Sequence, residues 1–177
     1  MKKRIFLVSL ALVLALFLLA PAPALAAKPV EFNASGSIET ISAGDVLPAG
    51  NSGRWVVHER ELCGILSGDI NDDFVLTYRA NVDENQAGNL SGKLTIGQDA
   101  CSMRLNGKSQ PLELVWLETF NTYLPMLAIE GHWTFNQGAR GNGDFAAWFI
   151  FIPQVDEQGN VHIGQIVGSA LELTGKW

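Results

Sequence analysis

From Asp73 to Val82 the chain carries Phe74, Leu76, Tyr78, Ala80 and Val82 at every second position, with Thr77, Arg79 and Asn81 between them. A period of two is the repeat of a β-strand, and it cannot sit on a helix. One face must be buried and the other wet. Leu90–Ile96 repeats the pattern, with Leu90, Leu94 and Ile96 opposed to Ser91, Lys93 and Thr95. Leu127–Phe135 does so again: Leu127, Ile129, Trp133 and Phe135 alternate with Glu130, His132 and Thr134. Turn signals separate these runs, among them Pro48-Ala49-Gly50-Asn51, Ser67-Gly68-Asp69 and Asp156-Glu157-Gln158-Gly159-Asn160. The best helix candidate, Leu112–Tyr123, holds Val115, Trp116, Thr119, Phe120 and Thr122, which lean to strand.

The reading is therefore all-β, with strands expected over Phe32–Ile41, Arg54–Leu66, Asp73–Val82, Leu90–Ile96, Cys101–Leu105, Leu112–Leu117, Leu127–Phe135, Asp144–Ile152, Val161–Val167 and Leu171–Trp177. Asn106-Gly107 reads as a hairpin turn. Short connections and one-sided strands predict a single antiparallel barrel of about eight strands, which leaves no exposed edge. A β-sandwich is the alternative. The last strand reaches Trp177, which suggests pairing with the first.

The chain of 177 residues is 47% hydrophobic and only 17% charged. Much of that bias lies in residues 1–26, a separate segment. Lys2, Lys3 and Arg4 precede an apolar run from Ile5 to Ala20, then Pro21-Ala22-Pro23 and Ala24-Leu25-Ala26. This is the layout of a cleaved secretory signal peptide. The run is short of the roughly 20 residues that span a bilayer. The expected mature domain is 27–177, secreted or otherwise extracytoplasmic, without stable membrane insertion after cleavage. It holds nine Lys and Arg against 18 Asp and Glu, a formal net charge of −9. That argues against nucleic acid, which needs clustered cations, and disfavours anionic membranes and polyanions. The length argues against a multidomain enzyme. Cys63 and Cys101 are the only cysteines, and in an oxidising compartment such a pair predicts a disulfide. His58, His132 and His162 have no metal-ligand spacing, so neither metal nor cofactor is expected.

Gly138-Ala139-Arg140-Gly141-Asn142-Gly143 has the look of a phosphate loop, but such a loop opens a helix. The next segment, Asp144–Ile152, reads as a strand, so the glycines fit a sharply bent barrel strand better. Phe135-Asn136-Gln137-Gly138 through Asp144-Phe145 resembles the glycine-rich hairpin of the allene oxide cyclase and dirigent barrel families. So does the order Gly64–Gly68, then Gly88–Gly97, then this loop and a long apolar strand. Those families are eight-stranded barrels with a lipophilic central cavity. The Gly-Gly-Thr-Gly string usual there is replaced by Phe135-Asn136-Gln137-Gly138, so the resemblance implies the fold and no catalytic residue. Gly53-Arg54-Trp55, Gly131-His132-Trp133 and Gly175-Lys176-Trp177 are faintly similar to the lipocalin Gly-x-Trp. Each Trp is expected at a barrel end, as core or as a pocket rim.

If the barrel is hollow, it binds an apolar or amphipathic small molecule through Phe74, Leu76, Tyr78, Trp133, Phe149 and Phe151. A cyclase or isomerase on the same barrel would need an inward acid or base. The polar candidates are His58, Glu59, Glu61, Glu118, Glu130 and His132. Neither face of His58-Glu59-Arg60-Glu61 is purely apolar, so one polar pair points into the barrel or the segment is a solvated exterior. A barrel filled solid would instead mark a structural or interaction protein. The oligomeric state is not legible from sequence.

Overall fold

The computed structural model describes residues 29–177 apart from 43, 98–100, 136–140, 156 and 158–160. The expected signal peptide and Gly138, Ala139 and Arg140 of the glycine loop lie outside the described residues. Ten strands make up the rest: β1 Glu31–Ile41, β2 Asp45–Pro48, β3 Trp55–Gly68, β4 Asp72–Val82, β5 Gly88–Ile96, β6 Cys101–Ser109, β7 Glu113–Leu117, β8 Thr122–Phe135, β9 Asn142–Val155 and β10 Val161–Lys176. One 3-10 turn, Glu118–Phe120, joins β7 to β8.

The order β1-β10-β9-β8-β6-β5-β4-β3 closes on itself because β1 also pairs with β3. All pairings are antiparallel. The result is a closed eight-stranded meander, not a sandwich, and the last strand does seal against the first. The short strands β2 and β7 continue β1 and β6 after breaks. They pair with β3 and β8 alone.

Following the register from Leu66 through Gly36, Leu171, Ala147, Ile129, Ser109, Gly88 and Val82 leads back to β3 at Trp55. The strands are thus strongly staggered, as closure of a twisted sheet requires. Stagger also makes several strands overshoot at one end.

The inward positions form one core. It includes Phe32, Leu62, Phe74, Leu76, Leu94, Met103, Leu105, Ile129, Trp133, Phe149, Leu171 and Leu173, all at 1% exposure or less. A chamber of ligand size would leave its lining accessible to water. These side chains are not accessible, so the middle of the barrel is solid. Inward glycines make room for the aromatics: a Cβ at Gly175 would sit 2.5 Å from Trp133 Cζ2, and one at Gly64 would sit 2.9 Å from Phe74 Cε1. Large side chains opposite absent ones fill the space.

Three sequence expectations are corrected. Asn106-Gly107 is not a turn. It lies within β6, where Gly107 meets Gly131 of β8 so closely that neither could carry a Cβ. The two expected C-terminal strands are one, β10, bent by irregularities between Ile163 and Gly168. Cys63 and Cys101 are free thiols, not a disulfide. Cys63 lies on β3 and Cys101 on β6, with β4 and β5 between them. Three inter-strand steps put their Cα atoms roughly 14 Å apart, about twice what a disulfide bridges. They also face opposite sides of the wall. Cys101 pairs in register with core residue Ile96, whereas Cys63 shares the outer face with Glu61 and Ile65.

Candidate functional site

The two barrel ends differ. At the end holding Val30 and Trp177, Phe32 packs edge-on against Trp133 at 5.6 Å between centroids and lies 4.5 Å from Trp177. Phe135 packs on both tryptophans. The Trp133 Nε1–H donates to the Thr174 carbonyl at 3.0 Å, which satisfies its one polar group. Backbone bonds between Val30 and Trp177 complete the plug.

At the other end the strands run past the solid core. β7 and the start of β8 form an arm whose inner face carries Leu114 and Trp116, opposite Pro125 and Tyr123. Pro125 and Tyr123 continue the inward parity of Leu127 and Ile129. Leu114, Trp116 and Tyr123 are 65%, 46% and 61% exposed. Trp116 and Tyr123 make a T-shaped pair at 5.2 Å. Other inner-face positions of this rim are also open: Val46, which pairs with Val57, Trp55, which pairs with Val82, and Val155, two positions beyond Pro153. Partly buried Ile163 and Ile166 and buried Phe151 and Leu127 lie on the same inner face, deeper toward the core. The result is a mouth rimmed by exposed inner-face apolar side chains above a packed interior.

All six expected lining residues, Phe74, Leu76, Tyr78, Trp133, Phe149 and Phe151, point inward. They fill the barrel rather than line a chamber. The polar candidates are not brought together. Glu59, Glu61, Glu118 and Glu130 are exposed, with Glu61 accepting from Thr77 at 3.4 Å and Glu130 from Gln110 at 2.6 Å. None supplies the inward carboxylate that a cyclase or isomerase would need. His132 is on the outer wall, paired with Asp144 of β9 at 2.5 Å. His58 sits half-buried on β3 opposite Asp45.

Among the described residues Arg60 is buried and charged, and a bulge turns it inward. Between Val57 and Arg60 the register with β4 slips, and Glu59 takes φ 50°. The bulge turns both Val57 and Arg60 inward, which strict alternation forbids. The corner opposite needs glycine: Gly44 has φ +63°, and a Cβ there would meet the His58 carbonyl oxygen at 2.5 Å. Arg60 lies beside Tyr78 of β4. Burial pushes the Tyr78 phenol above its usual range, and the Arg60 guanidinium pulls it partly back. The Tyr78 hydroxyl makes no well-formed hydrogen bond among the described residues. The sequence signal for this bulge was the mixed polarity of His58-Glu59-Arg60-Glu61. Nothing in the sequence marks the mouth, since Leu114, Trp116 and Tyr123 read as ordinary strand residues.

No family model, curated protein or solved structure matches this chain.

Proposed function

We propose that this is an exported barrel protein that binds an apolar or amphipathic molecule at its open mouth, not in its interior. The observation that carries the reading is the overshoot of the inner faces. Leu114, Trp116 and Tyr123 continue the inward parity of the core and yet are open to water. Clustered exposed apolar side chains of this kind mark a binding surface more often than a bare monomer surface. A mouth above a solid floor takes a chain or ring end-on, and the rim would set its orientation. The resemblance to allene oxide cyclase and dirigent barrels contributes the fold to this reading, not a chemistry.

The test uses the mature chain and the neutral apolar dye Nile red, with a Trp116→Ser/Tyr123→Ser variant. Saturable fluorescence gain with the parent, lost in the variant while the thermal midpoint stays put, supports the mouth. No gain with the parent, or an equal gain in the variant, overturns it.

A further inference from the structure

The arm on one side of the mouth carries carboxylates and no positive charge. The sequence holds no Lys or Arg between Lys108 and Arg140, and β7, its turn and the start of β8 all fall in that stretch. Glu113 opens β7 and Glu118 opens the turn. The β4–β5 turn brings Asp83 and Glu84 beside them, since the Leu112 N–H donates to the Asn85 carbonyl at 2.8 Å. Glu84, Glu113 and Glu118 are exposed, and none has a cationic partner among the described residues. Arg54, just before β3, is turned away. Its guanidinium donates to the Asn81 side chain at 2.6 Å and to the Asn81 carbonyl at 2.8 Å, and Asn81 is on the outer face of β4. Arg60 is buried below the rim.

The exposed rings of the same arm suit a cation as well as an apolar tail. Trp116 and Tyr123 meet edge to face, with 64° between their planes. Such a pair leaves a ring face open, and the negative face of an indole or phenol attracts an ammonium group. Phe120 of the turn adds a third exposed ring. The turn itself is fixed by Asn121, in the left-handed region at φ 50°, whose N–H donates to the Glu118 carbonyl.

We infer that the mouth, read above as a site for an apolar or amphipathic molecule, selects one with a cationic head, a quaternary ammonium or a protonated amine; the inference rests on that reading. The apolar tail lies on Leu114, Trp116 and Tyr123, and the head sits among the rings and carboxylates at the edge of the arm. Entry head first is disfavoured, because the packed apolar interior strips an ammonium of water without replacing its hydrogen bonds. An apolar surface alone accepts any head. Charge complementarity makes the selection: the field of Asp83, Glu84, Glu113 and Glu118 attracts an ammonium and repels a sulfate or carboxylate. Charges this exposed are screened, so the preference weakens with salt.

The test displaces Nile red from the mature chain with decyltrimethylammonium, decyl sulfate and decyl maltoside, each well below its micelle-forming concentration. The ammonium should displace the dye at about tenfold lower concentration than the sulfate, with the uncharged maltoside between them. Added salt should narrow that ratio in the parent. The Glu113→Gln/Glu118→Gln variant, its fold checked by thermal midpoint, should reduce the ratio about threefold or more. Equal displacement by the three heads, or a ratio that neither salt nor the variant changes, overturns the cationic head and leaves the mouth standing. Absence of saturable Nile red binding to the parent removes the mouth itself, and the cationic head with it.

Discussion

Both ends of the barrel are rich in tryptophan, tyrosine and phenylalanine, yet only one end uses them as structure. At the end holding Trp177, Phe32, Trp133, Phe135 and Trp177 close on one another. At the mouth Trp55, Trp116, Phe120 and Tyr123 are open. The difference lies in where each strand stops. Where β1, β8 and β10 come together, inward glycines let a large ring lie across the axis. Where β7 and β8 overshoot, β7 pairs with β8 alone among the described residues, and Leu114, Trp116 and Tyr123 on their inner face are open to water. The same residue types are core at one end and candidate binding surface at the other.

Four substitutions test that contrast, in falling order of expected effect. Trp133→Ala removes the central ring of the plug and should cost about 3–5 kcal/mol. That is a large share of a small domain's stability, and chemical denaturation would show it. A loss below about 1 kcal/mol would mean the plugged end is as loosely built as the mouth. Gly175→Ala forces a Cβ against Trp133 and the Asn142 carbonyl. It should cost about 1–3 kcal/mol through overpacking, with the near-ultraviolet tryptophan signal altered.

Tyr78→Phe probes the buried floor between the ends. Its phenol is raised on folding, so the folded state holds this proton more tightly than the unfolded chain. The associated stability is complete below the unfolded value near 10 and is lost as pH rises toward the folded one. A thermal midpoint followed from pH 8 to pH 11 should fall less in the Phe variant than in the parent. Equal slopes would assign the alkaline loss elsewhere, Cys101 being the other group raised by burial. Trp116→Ser, alone at the mouth, should shift stability by no more than about 0.5 kcal/mol while weakening Nile red binding. A large destabilisation would make the mouth a second plug and erase the contrast.

The strands were legible because their alternation is a local property. β4, β5 and β8 stand where Phe74–Val82, Leu90–Ile96 and Leu127–Phe135 indicated. The six apolar candidates were rightly turned inward. The last strand was rightly paired with the first, but two inferences about the partner of a particular residue failed. Asn106-Gly107 carried turn chemistry, yet Gly107 serves close approach to Gly131. Cys63 and Cys101 shared a compartment argument, yet stand three strands apart and on opposite faces. Of the polar candidates, the His58–Glu61 segment was marked only as having no purely apolar face. The bulge at Glu59 selected Arg60 as the inward group, and no spacing rule could have foretold that slip. That Lys93 of β5 and Arg104 of β6 face each other on the outer wall was invisible for the same reason, since they lie on different strands.

The class of fold and the composition of each strand face are properties of the sequence alone, because period-two burial and glycine-bounded turns act within a few residues. That the barrel is filled, that one end is plugged and the other open, and which charges meet on its wall emerge only in three dimensions. Those properties follow from stagger and register around a closed sheet, where a residue's neighbours are set by pairings with strands distant in the chain.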